Sequence, residues 1–409
     1  MMVGVIHLKI VQINVTFNTG STGKIAYQIH QKLDKEGIDN KIIFGYGKGE
    51  EGVGYSMYSK LGTHLHSFLS RKMCMQGLCS WKKTADMIGF LKKEKPDIVH
   101  LHNIHGHYLN YPKLFKYLKD SGVPVVWTFH DCWPFTGKCS HYFNANCDKW
   151  KTGCYDCPNL AAYPDSTHDG TKKGYLKKKN SFTSVDKLNI VCNSKWLKSQ
   201  VEESFLKDKL IYQIYNGVDT EIFKPVYDEN IFKKYNIPQN KFIILGVSGV
   251  WKEAKGLNTF LELSNHIGED VAIVMVGLTE KQIEALPNGI IGITRTENME
   301  ELTKLYTMSD VLLNPSMEET FGMVAAESMA CGTPAIVSTT TACPEVVDEK
   351  TGLCVNMQSM DEILSAINVI KENRKESYAK SCIERIEKQF SLKMMCNKYI
   401  SLYERLTTD

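Results

Sequence analysis

The chain has 409 residues, 43% of them hydrophobic and 23% charged, with a formal net charge of +3. That is enough for about two to three domains with large cores, and so small a charge excludes a nucleic-acid binder driven by bulk electrostatics. No apolar run approaches the length of a membrane span, and the opening MMVGVIHLKIVQINVTF has His and Lys inside it and passes straight into a strand pattern, so neither an export signal nor a membrane anchor is read. Thirteen cysteines without an export signal fit a reducing cytoplasm, where most are free thiols.

The run KIVQINVTF reads as a strand, followed by the turn NTGSTG and a helix in which Ile25, Ile29 and Leu33 recur at helical spacing. The turn has the look of a nucleotide-binding P-loop. Its spelling fails at both ends: Asn18 stands where that loop has Gly, and Ile25 follows Gly23-Lys24 where it has Ser or Thr. What survives is a strand, a turn and a helix N-terminus able to face an anion, with Gly23 as the candidate contact. The plainer alternative is a turn that only reverses the chain.

Strand-like runs alternate with helical patterns from there on: NKIIFGY, DIVHLH, VPVVWTF, LNIVCNS and LIYQIYN, then FIILGVS, VAIVMVG, IIGIT, DVLLN and PAIVS. Continuous Ile- and Val-rich strands separated by helices predict α/β architecture with parallel sheets covered on both faces. A polar stretch bracketed by Pro225 and Pro238 separates the two series, which predicts two doubly wound, Rossmann-like domains, 1–222 and 223–388, facing across a cleft. The closing segment 389–409 reads as an amphipathic helix, expected to pack back toward the first domain.

The densest signal is NPSMEETFGMVAAESMACGTPAIV, residues 314–337. A strand ends at Pro315, a loop carries Glu318 and Glu319, and a helix begins near Phe321–Gly322, so Glu319 lies in the loop and Glu327 inside the helix. The helix N-terminus between them presents N–H groups and partial positive charge suited to a diphosphate, with one carboxylate for sugar hydroxyls and the other for a ribose. Taken alone, such a pair is more often a solvated loop and a helix face.

In its setting the segment resembles the donor-site signature of glycosyltransferase family 4, retaining enzymes of the GT-B fold. The likeness extends through TFHDCWPFTG, VCNSKWL, IYNGVDTEIFKP, WKEAKGL, ELTKLYTMSDVLLNPS and CPEVV. It implies Glu319 near the donor sugar, the backbone of Phe321, Gly322, Met323 and Val324 on phosphate or sugar, Glu327 on the nucleotide ribose, and Lys255 on the diphosphate. His130, beside Asp131 at the end of VPVVWTF, is implied to be a catalytic cleft residue touching donor sugar or acceptor. The family's arginine some residues before the lysine is replaced by Val250, with Lys252 as the nearest substitute, and its Gly pair before PE is replaced by Thr341 and Ala342. The chain has no D-x-D, so the expected reaction needs no metal. It also implies a UDP- or GDP-sugar donor and a glycan or lipid-linked acceptor of surface polysaccharide synthesis, handled in the cytoplasm or at the inner face of the membrane. A GT-B sugar-nucleotide epimerase and a non-catalytic sugar-binding module are the alternatives.

Two secondary signals remain. Cys139, Cys147, Cys154 and Cys157, in the insertion 132–158, are candidates for a structural Zn²⁺, with free or redox-active thiols as the alternative. A similar Cys-rich insertion occurs in relatives that assemble capsule and exopolysaccharide, colanic acid among them. Lys172, Lys173, Lys177, Lys178 and Lys179 form a basic run, read as a solvated face or as a peripheral contact with anionic lipid.

Overall fold

The computed structural model describes Leu8–Thr408. Met1–His7, the first part of the stretch read as lacking an export signal, lie outside the described residues, as does Asp409. One parallel sheet contains β1 (Lys9–Thr16), β2 (Asp39–Tyr46), β3 (Gly54–Ser56), β4 (Ile98–Leu101), β5 (Val125–Phe129), β6 (Leu188–Cys192) and β7 (Leu210–Gln213), in the order β3-β2-β1-β4-β5-β6-β7. A second contains β8 (Phe242–Val247), β9 (Val271–Val276), β10 (Ile290–Ile293), β11 (Val311–Asn314), β12 (Ala335–Ser338) and β13 (Gly352–Val355), ordered β10-β9-β8-β11-β12-β13 and again all parallel. Each sheet reverses its winding beside its first strand, between β1 and β4 and between β8 and β11. In open α/β sheets the crevice beyond the strand carboxyl ends at such a switch point is where ligands bind.

The chain divides into two compact units, one running to Ile214 and taking in Cys396–Asp409, the other Tyr215–Met395. Every apolar run read as a strand forms one; β5, β6 and β9, each paired on both sides, are buried throughout and need apolar side chains on both faces. β3 and β13 had no such signal. They are edge strands of three and four residues, half exposed, which pair on one side only and need no continuous apolar run.

The helices used below are α1 (Gly20–Lys35), α2 (Lys60–Met73), α3 (Trp81–Glu94), α4 (Tyr111–Ser121) and α5 (Thr171–Thr183). α1 buries Ile25, Ile29 and Leu33, as their spacing predicts. The C-terminal helix Leu392–Thr408 meets the first sheet through two tyrosines: Tyr399 Oη bonds Thr128 Oγ1 at 2.8 Å and Tyr403 Oη bonds His100 Nδ1 at 2.7 Å. Both partners are buried polar groups within strands, so each hydroxyl satisfies an atom that water cannot reach.

In the Cys-rich insertion Trp133, Phe135, Tyr142 and Trp150 are buried, and among the described residues no cysteine is in a disulfide. Cys139, Cys147, Cys154 and Cys157 line one cavity of about 20 Å³. Backbone N–H groups of Gly137 and Asn159 donate to Cys154 Sγ (3.1 Å) and Cys157 Sγ (3.4 Å), and a hydrogen bond from the Cys139 thiol holds the Cys157 pKa down to about 6. Among the described residues no group of three or more His, Cys, Asp or Glu is arranged to hold a metal ion.

The basic run on α5 needs a correction, because helical geometry turns Lys178 inward while Lys172, Lys173, Lys177 and Lys179 stay exposed. Lys178 Nζ donates to the carbonyls of Trp133 (2.6 Å) and Thr136 (3.0 Å) and lies 3.5 Å from the Trp133 ring centroid. Desolvation pulls its pKa down to about 7. Lys178→Ala, which leaves two buried carbonyls without donors, is expected to destabilise the protein by about 2–4 kcal/mol, against under about 0.5 kcal/mol for Lys177→Ala. Denaturant unfolding of the two variants checks this; equal losses would mean that Lys178 does not anchor the insertion.

Candidate active site

In the second unit the site is built on the two switch-point strands. The loop after β8 carries Lys255 and the loop after β11 carries Glu319, and Lys255 Nζ reaches Glu319 Oε1 at 2.6 Å and Ser316 Oγ at 3.4 Å. Two features bring the loops together. Trp251 is buried with its Nε1 donating to Val276 O (2.8 Å), which pins the first loop down. Gly256, at φ +79°, lies so close to Pro315 that a Cβ there would stand 2.2 Å from the proline Cγ. Any side chain at that position would push the Lys255 loop away from Glu319.

The backbone of Glu319 is held from a third loop, after β12. Its N–H donates to Thr341 Oγ1 (3.1 Å), its carbonyl accepts from Ala342 N (3.2 Å), and Thr340 Oγ1 donates to Met317 O (2.6 Å). Thr341 does this at φ +54°, a conformation that a β-branched residue adopts only at a cost of about 1–3 kcal/mol. The Gly pair found missing from the sequence would adopt that turn freely. Here the threonine spends the strain on a hydroxyl that fixes Glu319.

Phe321 is buried and Gly322 (φ +105°) precedes the helix Met323–Ala330, whose N-terminus has no side-chain cap. The first N–H groups, from Met323 and Val324 onward, have no acceptor within the helix and carry its positive end. Glu327 stands half-buried on that helix and accepts from Tyr306 Oη (3.1 Å), whose ionisation burial opposes strongly. Val250 is exposed, as is Lys252. Tyr306 and Thr341 were not singled out as site residues. Tyr306 lies inside a stretch quoted for its likeness, yet spacing gives no hint that its hydroxyl reaches Glu327.

His130 and Gly23 belong to the first unit. Gly23 is buried inside α1, where a Cβ would come 2.5 Å from Thr16 Oγ1, so its lack of a side chain serves the approach of α1 to β1. His130 follows β5 and, itself half-buried, ends a line of buried polar groups. Gln12 Oε1 accepts from His102 Nε2 (3.0 Å), leaving His102 Nδ1 to accept from His130 Nε2 (3.1 Å). Trp127 Nε1 donates to His102 O (2.9 Å), and the rings of His102 and His130 stack with centroids 5.4 Å apart. Burial holds His130 down to about 4 against the pull of the Asp131 carboxylate, so it is a neutral imidazole at neutral pH. Burial would raise Asp131, but His105, bonded to it at 2.7 Å, brings it below the usual carboxylate value.

These local parts now have relatives to stand beside. Residues 22–222 match the Glycosyltransferase Family 4 family and residues 228–389 match Glycosyl transferases group 1. These two domain matches, on two Rossmann-type halves, make the protein a glycosyltransferase of the GT-B fold. Its first half is a Glycosyltransferase Family 4 domain and its second half a group 1 glycosyl transferase domain. It is 22% identical, over 98% of its length and 100% of the other's, to a protein of Escherichia coli (strain K12) that bears the name of a colanic acid biosynthesis glycosyl transferase, WcaC. Among solved structures it is similar to the sucrose-phosphate synthase of Thermosynechococcus elongatus, with a TM-score of 0.74 and 17% identity over 98% and 99% of the two chains. The Anabaena protein Alr3699/HepE, solved with UDP-glucose, has a TM-score of 0.66 and 14% identity over 98% and 100%.

The first unit also holds several neutral imidazoles, which makes its stability depend on pH. Burial depresses His66 to about 4, His100 to about 3, His130 to about 4 and His102 well below its usual value. The unfolded chain takes up these protons near pH 6.5 and the folded chain does not, so stability is fully present above about pH 6.5 and is lost toward pH 4. The melting temperature is expected to fall steadily between those limits; a flat profile would show that the imidazoles are not held neutral.

Proposed function

We propose that the protein transfers a sugar, with retention of anomeric configuration, from a nucleotide-sugar donor to a glycan or lipid-linked acceptor in surface polysaccharide synthesis. The observation that carries this is the pairing of Lys255 with Glu319 beside the uncapped helix start at Gly322, at the switch point of the second sheet. A diphosphate arriving there meets Lys255 and the N–H groups of Met323 and Val324, and Lys255 exchanges its carboxylate partner for phosphate. Glu319, released and still fixed by Thr341, faces the donor sugar, while Glu327, steadied by Tyr306, takes the ribose hydroxyls. Lys252 stands in for the arginine that Val250 replaces.

As the glycosidic bond breaks, negative charge gathers on the leaving diphosphate, and the ammonium and the helix end stabilise it. The departing phosphate accepts the proton of the acceptor hydroxyl on the same face, which gives retention without a covalent enzyme intermediate. His130 acts as a neutral hydrogen-bonding group on donor sugar or acceptor. No D-x-D is present to recruit a divalent ion, and the reading includes none. The donor is a UDP- or GDP-sugar, and the Anabaena relative was solved with UDP-glucose. The colanic acid name of the Escherichia coli relative supports a surface polysaccharide product, and the reading has it made on the cytoplasmic side of the membrane.

A thermal-shift panel of UDP-, GDP-, ADP- and dTDP-sugars, with and without EDTA, tests the donor site. One nucleotide is expected to stabilise the wild type by about 2.7 kcal/mol at about a hundredfold excess over its Kd, insensitively to EDTA. The shift should vanish in Glu327→Ala and Lys255→Ala. No shift with any nucleotide would leave the fold without the donor site.

A further inference from the structure

Helix α2 of the first unit carries its polarity the opposite way from a helix that packs on a core. The side turned inward holds His66 and Ser70, both buried. His66 is tied in at both ring nitrogens, Nε2 accepting from Gly77 N (3.1 Å) and Nδ1 donating to Ser80 Oγ (2.9 Å). The side turned outward holds Leu61, Leu65 and Phe68, spaced i, i+4 and i+7, with relative exposures of 86%, 60% and 58%. Met73 at the end of α2 and Trp81 at the start of α3 are 55% and 61% exposed. A helix on the surface of a protein in water places such a stripe against the core, so a stripe facing out is an interaction surface.

The charges around it select the partner. From Gly52 to Ala85 the chain has no Asp or Glu, yet it has Lys60, Arg71, Lys72, Lys82 and Lys83. The C-terminal end of α2 also adjoins the approach to α5, since Thr167 N donates to Arg71 O (2.7 Å) and Gly170 packs on Cys74, and the exposed Lys172 and Lys173 follow directly. Of the nearby carboxylates, Asp165 pairs with Arg71 at 3.5 Å, Asp169 accepts from Cys157 N, Thr171 N and Thr171 Oγ1, and Asp86 stands exposed further along α3. A second copy of this face would bring like charges together. An anionic bilayer meets both features at once: headgroups attract the cations, and the leucines, phenylalanine and tryptophan enter the boundary with the acyl chains.

We propose that α2 and Trp81 dock the first unit on an anionic lipid surface. This moves the lipid contact from the α5 lysines to an apolar helix face, with the α5 lysines as its flank. It stands on the geometry of the first unit alone and is separable from the donor reading.

The test uses the full chain with vesicles of phosphatidylcholine alone and of phosphatidylcholine mixed with phosphatidylglycerol. The wild type is expected to sediment with the mixed vesicles, with binding reduced about tenfold or more in the triple variant Leu61→Ser, Leu65→Ser, Phe68→Ser. Trp emission should shift to the blue on binding, and the shift should be lost in Trp81→Phe. Lys72→Glu with Lys82→Glu should weaken binding to the mixed vesicles while the apolar row stays intact. All these side chains are exposed, and melting followed by circular dichroism confirms that each variant is folded. The nucleotide shifts of the triple variant, measured alongside, should match the wild type, so a failed lipid contact and a failed donor site give different results. Absence of binding to the mixed vesicles, or undiminished binding by the triple variant, overturns the proposal. So does a lipid-free dimer of the wild type that the triple variant disperses, which would assign the face to a second copy.

Discussion

The second unit depends on one close approach, that of Gly256 to Pro315. With no side chain between them, the loop after β8 lies on the loop after β11 and the Lys255 ammonium reaches the Glu319 carboxylate. The pair is partly exposed, so its own contribution to stability is of the order of 1 kcal/mol or less. A carboxylate and an ammonium that neutralise each other before the ligand arrives form a site that an anion can enter without first being repelled. The helix end at Gly322 adds positive potential fixed in the backbone, which needs no side chain to reorganise.

Thr341 shows how the same site is completed by a residue that departs from the family pattern. A glycine there would make the turn without strain but would offer no hydroxyl. Threonine accepts an unfavourable φ and binds the Glu319 N–H, so the position of the carboxylate is set by three loops of one sheet. The replacement of an arginine by Val250 has no such compensation on the same residue; the charge that remains on that loop is carried by Lys252 and Lys255.

In the first unit the corresponding constraint is burial of polar groups. Gln12 and His100 lie opposite each other on β1 and β4, and His102 and His130 continue the line past the strand ends. Their partners come from far along the chain: Tyr403 of the C-terminal helix bonds His100, and Tyr399 bonds Thr128, which bonds His100 in turn. This gives His130 one tautomer and no charge at neutral pH.

Local pattern carried much of this. The alternation of Ile- and Val-rich runs with helical spacing sets the α/β class, since strands buried on both faces must be apolar throughout, and the stretch from Asn314 to Val337 contains a strand, a loop carboxylate and a helix start within one short segment. Edge strands β3 and β13 left no trace because pairing on one side demands no apolar run. The basic run on α5 looked uniform until the helix turned Lys178 into the protein, and the row Leu61, Leu65, Phe68 has the periodicity of any core-facing helix. Sequence alone determined which residues share a helix face and which loop follows which strand, because these follow from the geometry of a few neighbouring residues. Which face points inward, which loops touch and which buried hydroxyl meets which imidazole were decided by the tertiary structure, because strand order brings together residues separated by hundreds of positions and no local period records that.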